Sequence, residues 1–270
     1  MLYLNQPTIL LREEPKENAI VATELFYGEE ITILQEDNNW VKIRSEADTY
    51  VGWTPKNSLS YITTKEKRFQ TSDKIARVFL SKAHVYAEEG TVFGPIATLP
   101  FRARIKVLEE KENSRWIKIE LLDGKIGFIQ RVHIQLLPQK STMKEMVDFA
   151  ISLADCKIPY FFGGRTMWDG FDCSGFTQML YNEFFNIELG RDAKQQILSK
   201  HCQEIQEKDL VPGDLIFWGK TKENINHVGL YIGNDKFVHA NVHELQGKVS
   251  ISKLTDSLCT KEIPYRAFCH

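Results

Sequence analysis

The chain lacks an excess of either charge. Its 34 basic and 36 acidic residues leave a formal net charge of −2, so no electrostatic argument points to nucleic acid or an anionic membrane as the main partner. It lacks long hydrophobic runs: the longest, such as Ile158–Phe162, are far too short to span a bilayer. The opening Met-Leu-Tyr-Leu-Asn-Gln-Pro has no basic start, apolar core or small-residue cleavage site. No signal peptide is expected from it, and the location expected is cytoplasmic. Cysteines are few: Cys156, Cys173, Cys202, Cys259 and Cys269. An odd number at irregular spacing, without a C-x-x-C pair, argues against a disulfide framework and a cysteine zinc site, and a reducing compartment is the simplest reading.

The composition that remains, 43% hydrophobic and 26% charged, is that of a globular protein. At about 150 residues per domain, 270 residues allow two domains or three small ones. The first half alternates with period two. Ile31-Thr32-Ile33-Leu34 and Trp40-Val41-Lys42-Ile43 flank an Asp37-Asn38-Asn39 turn, which predicts a hairpin of half-buried strands. The order returns in Ile105-Lys106-Val107-Leu108 and Trp116-Ile117-Lys118-Ile119, and Gly52-Trp53 is echoed by Gly127-Phe128 at nearly the same offset. Two related small β-barrels are expected, joined by a polar linker from Thr63 to Ser72.

From Ser141 the period changes. Met146, Phe149, Ala150 and Leu153 form a helical stripe behind a Thr142-x-x-Glu145 capping box. A second helix is predicted over Cys173–Phe185, capped by Asp172, with Phe176, Leu180 and Phe184 on one face. Strands are predicted over Asp214–Trp218, His227–Ile232 and Lys236–Asn241. Residues 141–270 therefore read as an α+β domain, helices first and an antiparallel sheet after.

Cys173, in Phe171-Asp172-Cys173-Ser174-Gly175, opens the second helix. The helix dipole and the free N–H groups there are expected to favour the nucleophilic thiolate, and the backbone N–H of Cys173 to stabilise an oxyanion. A nucleophile needs a base and the base an orienting partner. His227 and His239 lie on the two strands of a predicted hairpin around Gly233-Asn234-Asp235. Directly opposite each other, they would share a face with Cβ atoms ~5 Å apart. A two-residue turn at Asn234-Asp235 would slip the register and part them, so an odd-length loop is expected. His227, His239 and His243 could also offer three zinc ligands. Positions i and i+4 on a strand are ~13 Å apart, however, and His-Glu-x-x-His is missing, so no metal is expected.

Pro159-Tyr160-Phe161-Phe162-Gly163-Gly164, Phe171-Asp172-Cys173-Ser174-Gly175-Phe176, Leu210-Val211-Pro212-Gly213-Asp214-Leu215-Ile216-Phe217, His227-Val228-Gly229-Leu230-Tyr231-Ile232-Gly233 and Val238-His239-Ala240 follow one another in an order that resembles the NlpC-type cell-wall cysteine peptidases, a branch of the papain-like fold. The N-terminal half is similar to two bacterial SH3-like domains. The resemblance implies SH3-like domains at 1–64 and 72–138 and a catalytic domain at 141–270. It implies Cys173 as nucleophile, His227 as base and His239 as the orienter of His227, with Tyr160 near the oxyanion hole and Asp172 and Ser174 lining the cleft. It implies no cofactor.

The reaction implied is hydrolysis of the bond between γ-linked D-glutamate and the diamino acid of peptidoglycan stem peptides. In a subgroup with SH3-like domains, an aspartate after an arginine binds a free N-terminal L-alanine. Arg191-Asp192 matches that pair, Tyr50 matches a tyrosine of the SH3-like domain, and Glu17 is placed as its acidic partner. Three departures touch specificity: Phe162 stands where the family often has Trp, the loop Arg165–Gly170 carries one extra residue, and Ala193 replaces a serine. The expected partners are peptidoglycan-derived peptides, met by a monomer. The competing readings are an endopeptidase remodelling assembled peptidoglycan in a wall-facing compartment, a same-fold amidase or acyltransferase, and a wall-binding scaffold, which a broken triad would mark.

Overall fold

A computed structural model describes residues 1–242, 247–255 and 263–269, the last stretch by its backbone alone. The chain divides into two compact units. One holds Met1–Gln139 with Thr166–Trp168, the other Lys140–Arg165 with Asp169–His270.

The first unit is built from two seven-stranded sheets. One contains β1 (Leu2–Leu4), β2 (Thr8–Arg12), β3 (Val21–Phe26), β4 (Glu30–Asp37), β5 (Trp40–Ser45), β6 (Val51–Pro55) and β7 (Tyr61–Thr63). The other contains β8 (Ile75–Val78), β9 (Lys82–Tyr86), β10 (Ala97–Pro100), β11 (Arg104–Glu110), β12 (Trp116–Glu120), β13 (Ile126–Gln130) and β14 (Ile134–Leu137). Their strand orders, β3-β2-β6-β5-β4-β1-β7 and β10-β9-β13-β12-β11-β8-β14, are one order written twice. The repeat in the sequence is thus a repeat of topology. Trp40 and Trp116 open equivalent strands, and Gly52 and Gly127 face Ile43 and Ile119 across the next pairing.

The local reasons are legible. Asp37 pairs with Trp40, which leaves Asn38-Asn39 as the turn, with Asn38 in the left-handed region (φ 49°) that asparagine tolerates. Alternation along β5 and β12 sends Val41, Ile43, Ile117 and Ile119 inward. Each such buried side chain contributes about 1.5–3 kcal/mol of apolar transfer. The predicted linker is pinned within the unit: the Arg68 guanidinium lies over the Tyr27 and Phe69 rings, 5.1 and 4.6 Å from their centres.

The second unit starts with α1 (Met143–Asp155). Its capping box between Thr142 and Glu145 is complete, and its buried face is Met146, Val147, Ala150 and Leu153. Phe149 is half-buried against Phe184, ring centres 5.4 Å apart. After the short ladder of β15 (Arg165–Thr166) and β16 (Gly170–Phe171) comes α2 (Cys173–Phe185), which is buried along Ser174–Glu183. It is therefore a central helix, covered on all sides, rather than a two-faced surface helix. The one-turn α3 (Ala193–Gln196) follows.

The sheet comprises β17 (Cys202–Glu204), β18 (Leu215–Gly219), β19 (Ile225–Gly233), β20 (Lys236–Asn241), β21 (Lys248–Lys253) and β22 (Ile263–Cys269), ordered β17-β22-β18-β19-β20-β21 with every pairing antiparallel. Among the described residues, no helix is long and apolar enough to cross a membrane. Cys156 and Cys173 are free thiols. Cys202 is disulfide-bonded, which departs from the fully reduced cysteines expected.

Candidate active site

The site is assembled where the start of α2 meets β19 and β20. The hairpin linking those strands is not the one expected. Its turn is the two-residue Asn234-Asp235, both left-handed (φ 52° and 55°), the geometry that matches the twist of a tight hairpin. Gly233 pairs with Lys236, but Tyr231 pairs with Phe237 and Leu230 with Val238. A bulge between Tyr231 and Gly233 supplies the extra residue that the turn withholds, so parity is restored inside the strand rather than in the loop. His227 and His239 therefore share a face, as the chemistry requires, but they are diagonal neighbours. Continuing the register places His239 opposite Gly229.

Gly229 is what permits the diagonal. A Cβ there would lie 2.8 Å from Cδ2 of Phe237 and 3.3 Å from Cβ of His239. With nothing in the way, Nε2 of His227 meets Nδ1 of His239 at 2.6 Å, ring centres 4.9 Å apart. His239 is buried (1% exposed), and its Nε2 lies 3.0 Å from the hydroxyl of Ser252 on β21. Trp218, which pairs with His227 from β18, and Phe237 wall the two imidazoles, with ring centres 5.5 Å from His227 and 4.6 Å from His239 respectively.

Cys173 is the first residue of α2. The backbone N–H of Val228, the residue after His227, reaches its sulfur, as does that of Ser174. These two N–H groups and the cationic Arg191 pull the thiol's pKa down. Burial of the sulfur, first, and the Asp172 carboxylate, second, outweigh them and push it up to about 12. Burial therefore favours the protonated thiol, against the pull of the helix N-terminus towards thiolate. The residue keeps partial exposure. Tyr160 lies near it; burial, then the proximity of Cys173 and Asp172, raise the phenol's pKa, so it is a neutral hydroxyl.

The turn that presents Cys173 is locked. Asp172 is the N-cap of α2: Oδ1 accepts from Gly175 N at 2.6 Å, and Oδ2 from Gly163 N at 2.9 Å. Arg191 closes on the same carboxylate with two bonds of 3.1 and 2.6 Å, and donates to the Ser174 hydroxyl at 3.1 Å. Gly175 is required here by close approach, since a Cβ would sit 2.2 Å from the carbonyl oxygen of Gly164. Gln196 ties the Arg191 loop to the helix, donating to Ser174 O (2.8 Å) and Gly190 O (3.0 Å).

Cys173, His227, His239, Tyr160, Asp172 and Ser174 thus gather in the second unit. Asp192 is there too, as the N-cap of α3, its N–H donating to Gln195 Oε1 at 2.9 Å and its carboxylate 3.8 Å from Lys194 Nζ. Tyr50 and Glu17 belong to the first unit. Tyr50 lies just before β6, its N–H on the Asp48 carboxylate (3.1 Å). Glu17 lines a pocket with Asn39, Trp40, Pro55, Lys56 and Asn57. His243 lies outside the described residues. The sequence reading missed Gly229, Ser252, Trp218 and the buried role of Arg191. A serine in a strand and a glycine in a strand carry no mark of their neighbours across the sheet.

A free thiol at a helix N-terminus, flanked by an imidazole pair on an antiparallel sheet, is an arrangement that can carry nucleophilic cysteine chemistry. Residues 157–264 match the NlpC/P60 family, and residues 11–59 match the bacterial dipeptidyl-peptidase SH3 domain. The chain carries an NlpC/P60 domain together with a bacterial SH3 domain. It is similar to a γ-D-glutamyl-L-lysine dipeptidyl-peptidase of Bacillus subtilis (strain 168), 26% identical over 97% of this chain and 89% of that protein. It is also similar to dipeptidyl-peptidase 6 of Lysinibacillus sphaericus, 25% identical over 86% of this chain and 84% of the relative. The crystal structure of an NlpC/P60 family protein from Bacillus cereus ATCC 10987 has the same fold, with a TM-score of 0.83 at 19% identity and 98% of both chains covered. The NlpC/P60 match over residues 157–264 and the dipeptidyl-peptidase relatives support a peptidase.

Proposed function

We propose that this peptidase hydrolyses the bond between γ-D-glutamate and the diamino acid of peptidoglycan stem peptides, and that it prefers peptides with a free N-terminal L-alanine. The observation that carries the reading is the 2.6 Å contact between His227 Nε2 and His239 Nδ1 on the strand whose Val228 N–H touches the Cys173 sulfur. A relative of almost the same length, named a γ-D-glutamyl-L-lysine dipeptidyl-peptidase, supports the substrate. On this reading the first unit is two SH3-like domains, 1–64 and 72–138, and residues 141–270 are a papain-like catalytic domain.

Burial, which favours the protonated thiol of Cys173, bears on the order of proton transfers. Nε2 of His227 faces His239, so the nitrogen that serves Cys173 is Nδ1. It takes the thiol proton as sulfur attacks the γ-carbonyl, acting as general base at that moment rather than holding a standing ion pair. The tetrahedral oxyanion is met by the Cys173 N–H and the neutral hydroxyl of Tyr160. The C–N bond then breaks, and His227 gives its proton to the leaving amine. Water, deprotonated by the same nitrogen, cleaves the thioester and regenerates the thiol. His239 keeps the imidazole in the productive tautomer, as the third member of a serine triad does.

The substrate's α-amine is cationic at neutral pH, and the Asp192 carboxylate is the group assigned to it through charge-assisted hydrogen bonds. An acylated N-terminus would leave that carboxylate without its cation. Recycling of released peptides in the cytoplasm follows from such a preference. The disulfide at Cys202 favours a second reading, action on assembled peptidoglycan in an oxidising, wall-facing compartment. Mass spectrometry of L-Ala-γ-D-Glu-diaminopimelate and its N-acetylated copy separates the two: cleavage of the free-amine peptide alone supports recycling, and equal cleavage of both supports the wall.

A further inference from the structure

Every hydrogen bond in the imidazole pair constrains the next. For His227 to accept a proton at Nδ1, its own proton must sit on Nε2 and point at His239. His239 Nδ1, 2.6 Å away, must then be an acceptor, so the His239 proton is on Nε2. That nitrogen lies 3.0 Å from the Ser252 hydroxyl, and His239 is 1% exposed, so water does not replace this partner cheaply.

The opposite chain is also possible on paper. Ser252 donates to Nε2, His239 Nδ1–H donates to His227, and His227 carries its proton on Nδ1. In that chain the nitrogen that should take the Cys173 proton is already filled.

We propose that Ser252 is a positioning residue of the catalytic chain: its hydroxyl, 3.0 Å from His239 Nε2, fixes the ring and supplies the acceptor that the chain with His227 as base requires. The site is thereby a relay of four side chains, Cys173, His227, His239 and Ser252, on α2, β19, β20 and β21. The strand register fits the role. Ser252 pairs with Phe237, two residues before His239, while His239 itself pairs with Ser250. The hydroxyl that reaches the ring therefore comes from the diagonal position on the same face. The diagonal that joins His227 to His239 is repeated between His239 and Ser252.

The inference rests on the proposed triad but not on its substrate, and the test keeps the two apart. Full-length protein labelled with 15N-histidine is compared as wild type, Ser252→Ala and Ser252→Thr. The His239 signals are assigned through a His239→Gln variant. Wild type and Ser252→Thr should show a protonated Nε2 and an unprotonated Nδ1 on His239. Ser252→Ala should show exchange between tautomers, with alkylation of Cys173 by iodoacetamide slowed about threefold to tenfold, the range that one hydrogen bond sets. On whatever peptide the enzyme cleaves, kcat should fall by the same factor with KM unchanged, and Ser252→Thr should restore it. A His239 spectrum and alkylation rate unchanged in Ser252→Ala would overturn the proposal. So would equal damage in Ala and Thr variants with a lowered melting temperature, because that is a packing role. Correct tautomers and alkylation with no cleavage of the γ-D-glutamyl peptide would leave Ser252 in place and remove only the substrate.

Discussion

Arg191 and Asp172 form an ion pair at 2.6 Å with side chains 1% and 9% exposed, and the aspartate is the cap of the helix that begins with Cys173. A pair this deep is an anchor for geometry, since removing either partner leaves a charge stranded. Arg191→Met should lower unfolding stability by about 3–5 kcal/mol, read from urea denaturation. It should also cut kcat, because the Cys173 turn loses its brace. Arg191→Lys cannot reproduce the two-pronged contact and should fall between. A loss within the experimental error of the urea midpoint would show that the turn holds itself.

Gly229 makes the second prediction. An added methyl group meets Phe237 at 2.8 Å and the Val238 carbonyl oxygen at 3.2 Å. The neighbours that must give way are the ones that hold His239. Gly229→Ala should cost about 1–3 kcal/mol, as overpacking does, and should reduce kcat by at least tenfold. Wild-type kcat in this variant would mean that the imidazole pair does not depend on close approach of β19 and β20.

The thiol gives a pH dependence with a definite sign. An unperturbed cysteine titrates near 8.5, and burial pushes Cys173 up to about 12. The folded state therefore holds its proton more tightly than the unfolded chain. The stabilisation is complete below about 8.5 and is lost as pH rises through the folded value. Cys173→Ala removes this effect, so the stability gap between wild type and variant should shrink in favour of the variant from pH 8 to pH 11. Alkylation of wild-type Cys173 should climb with pH through the same range. A plateau of alkylation reached below pH 7 would instead indicate a resting thiolate–imidazolium pair.

The amine gauge yields the fourth prediction. Asp192→Asn should raise KM for a free-amine peptide at least tenfold, the weight of a charge-assisted hydrogen bond. It should leave the N-acetylated peptide unaffected. Equal effects on both peptides would reduce Asp192 to its capping of α3.

Much of this was legible in the sequence because its signals are local. The Thr142–Glu145 capping box, the Asp172 cap and the alternation around Trp40 and Trp116 each depend on residues a few positions apart. The turn at Asn234-Asp235 was equally legible, and it misled. A local rule predicts that it breaks the histidine pairing, and the bulge that repairs the register leaves no mark in the residues that form it. The upward pull on the Cys173 pKa leaves no mark in the sequence for a related reason. A helix N-terminus can be recognised from Asp172-Cys173-Ser174-Gly175, whereas the burial that overrides it comes from strands and loops far along the chain. Ser252 and Arg191 acquire their meaning only once β21 and the loop before α3 are folded against the site.

The central claim is that Cys173 cleaves the γ-D-glutamyl bond. The most direct measurement is mass spectrometry of L-Ala-γ-D-Glu-diaminopimelate, and of its L-lysine counterpart, after incubation with the wild-type protein and with Cys173→Ala. Release of L-Ala-D-Glu by the wild type and not by the variant is the result predicted. Intact peptides in the presence of a folded, alkylatable wild type, or cleavage that persists without the thiol, would contradict it.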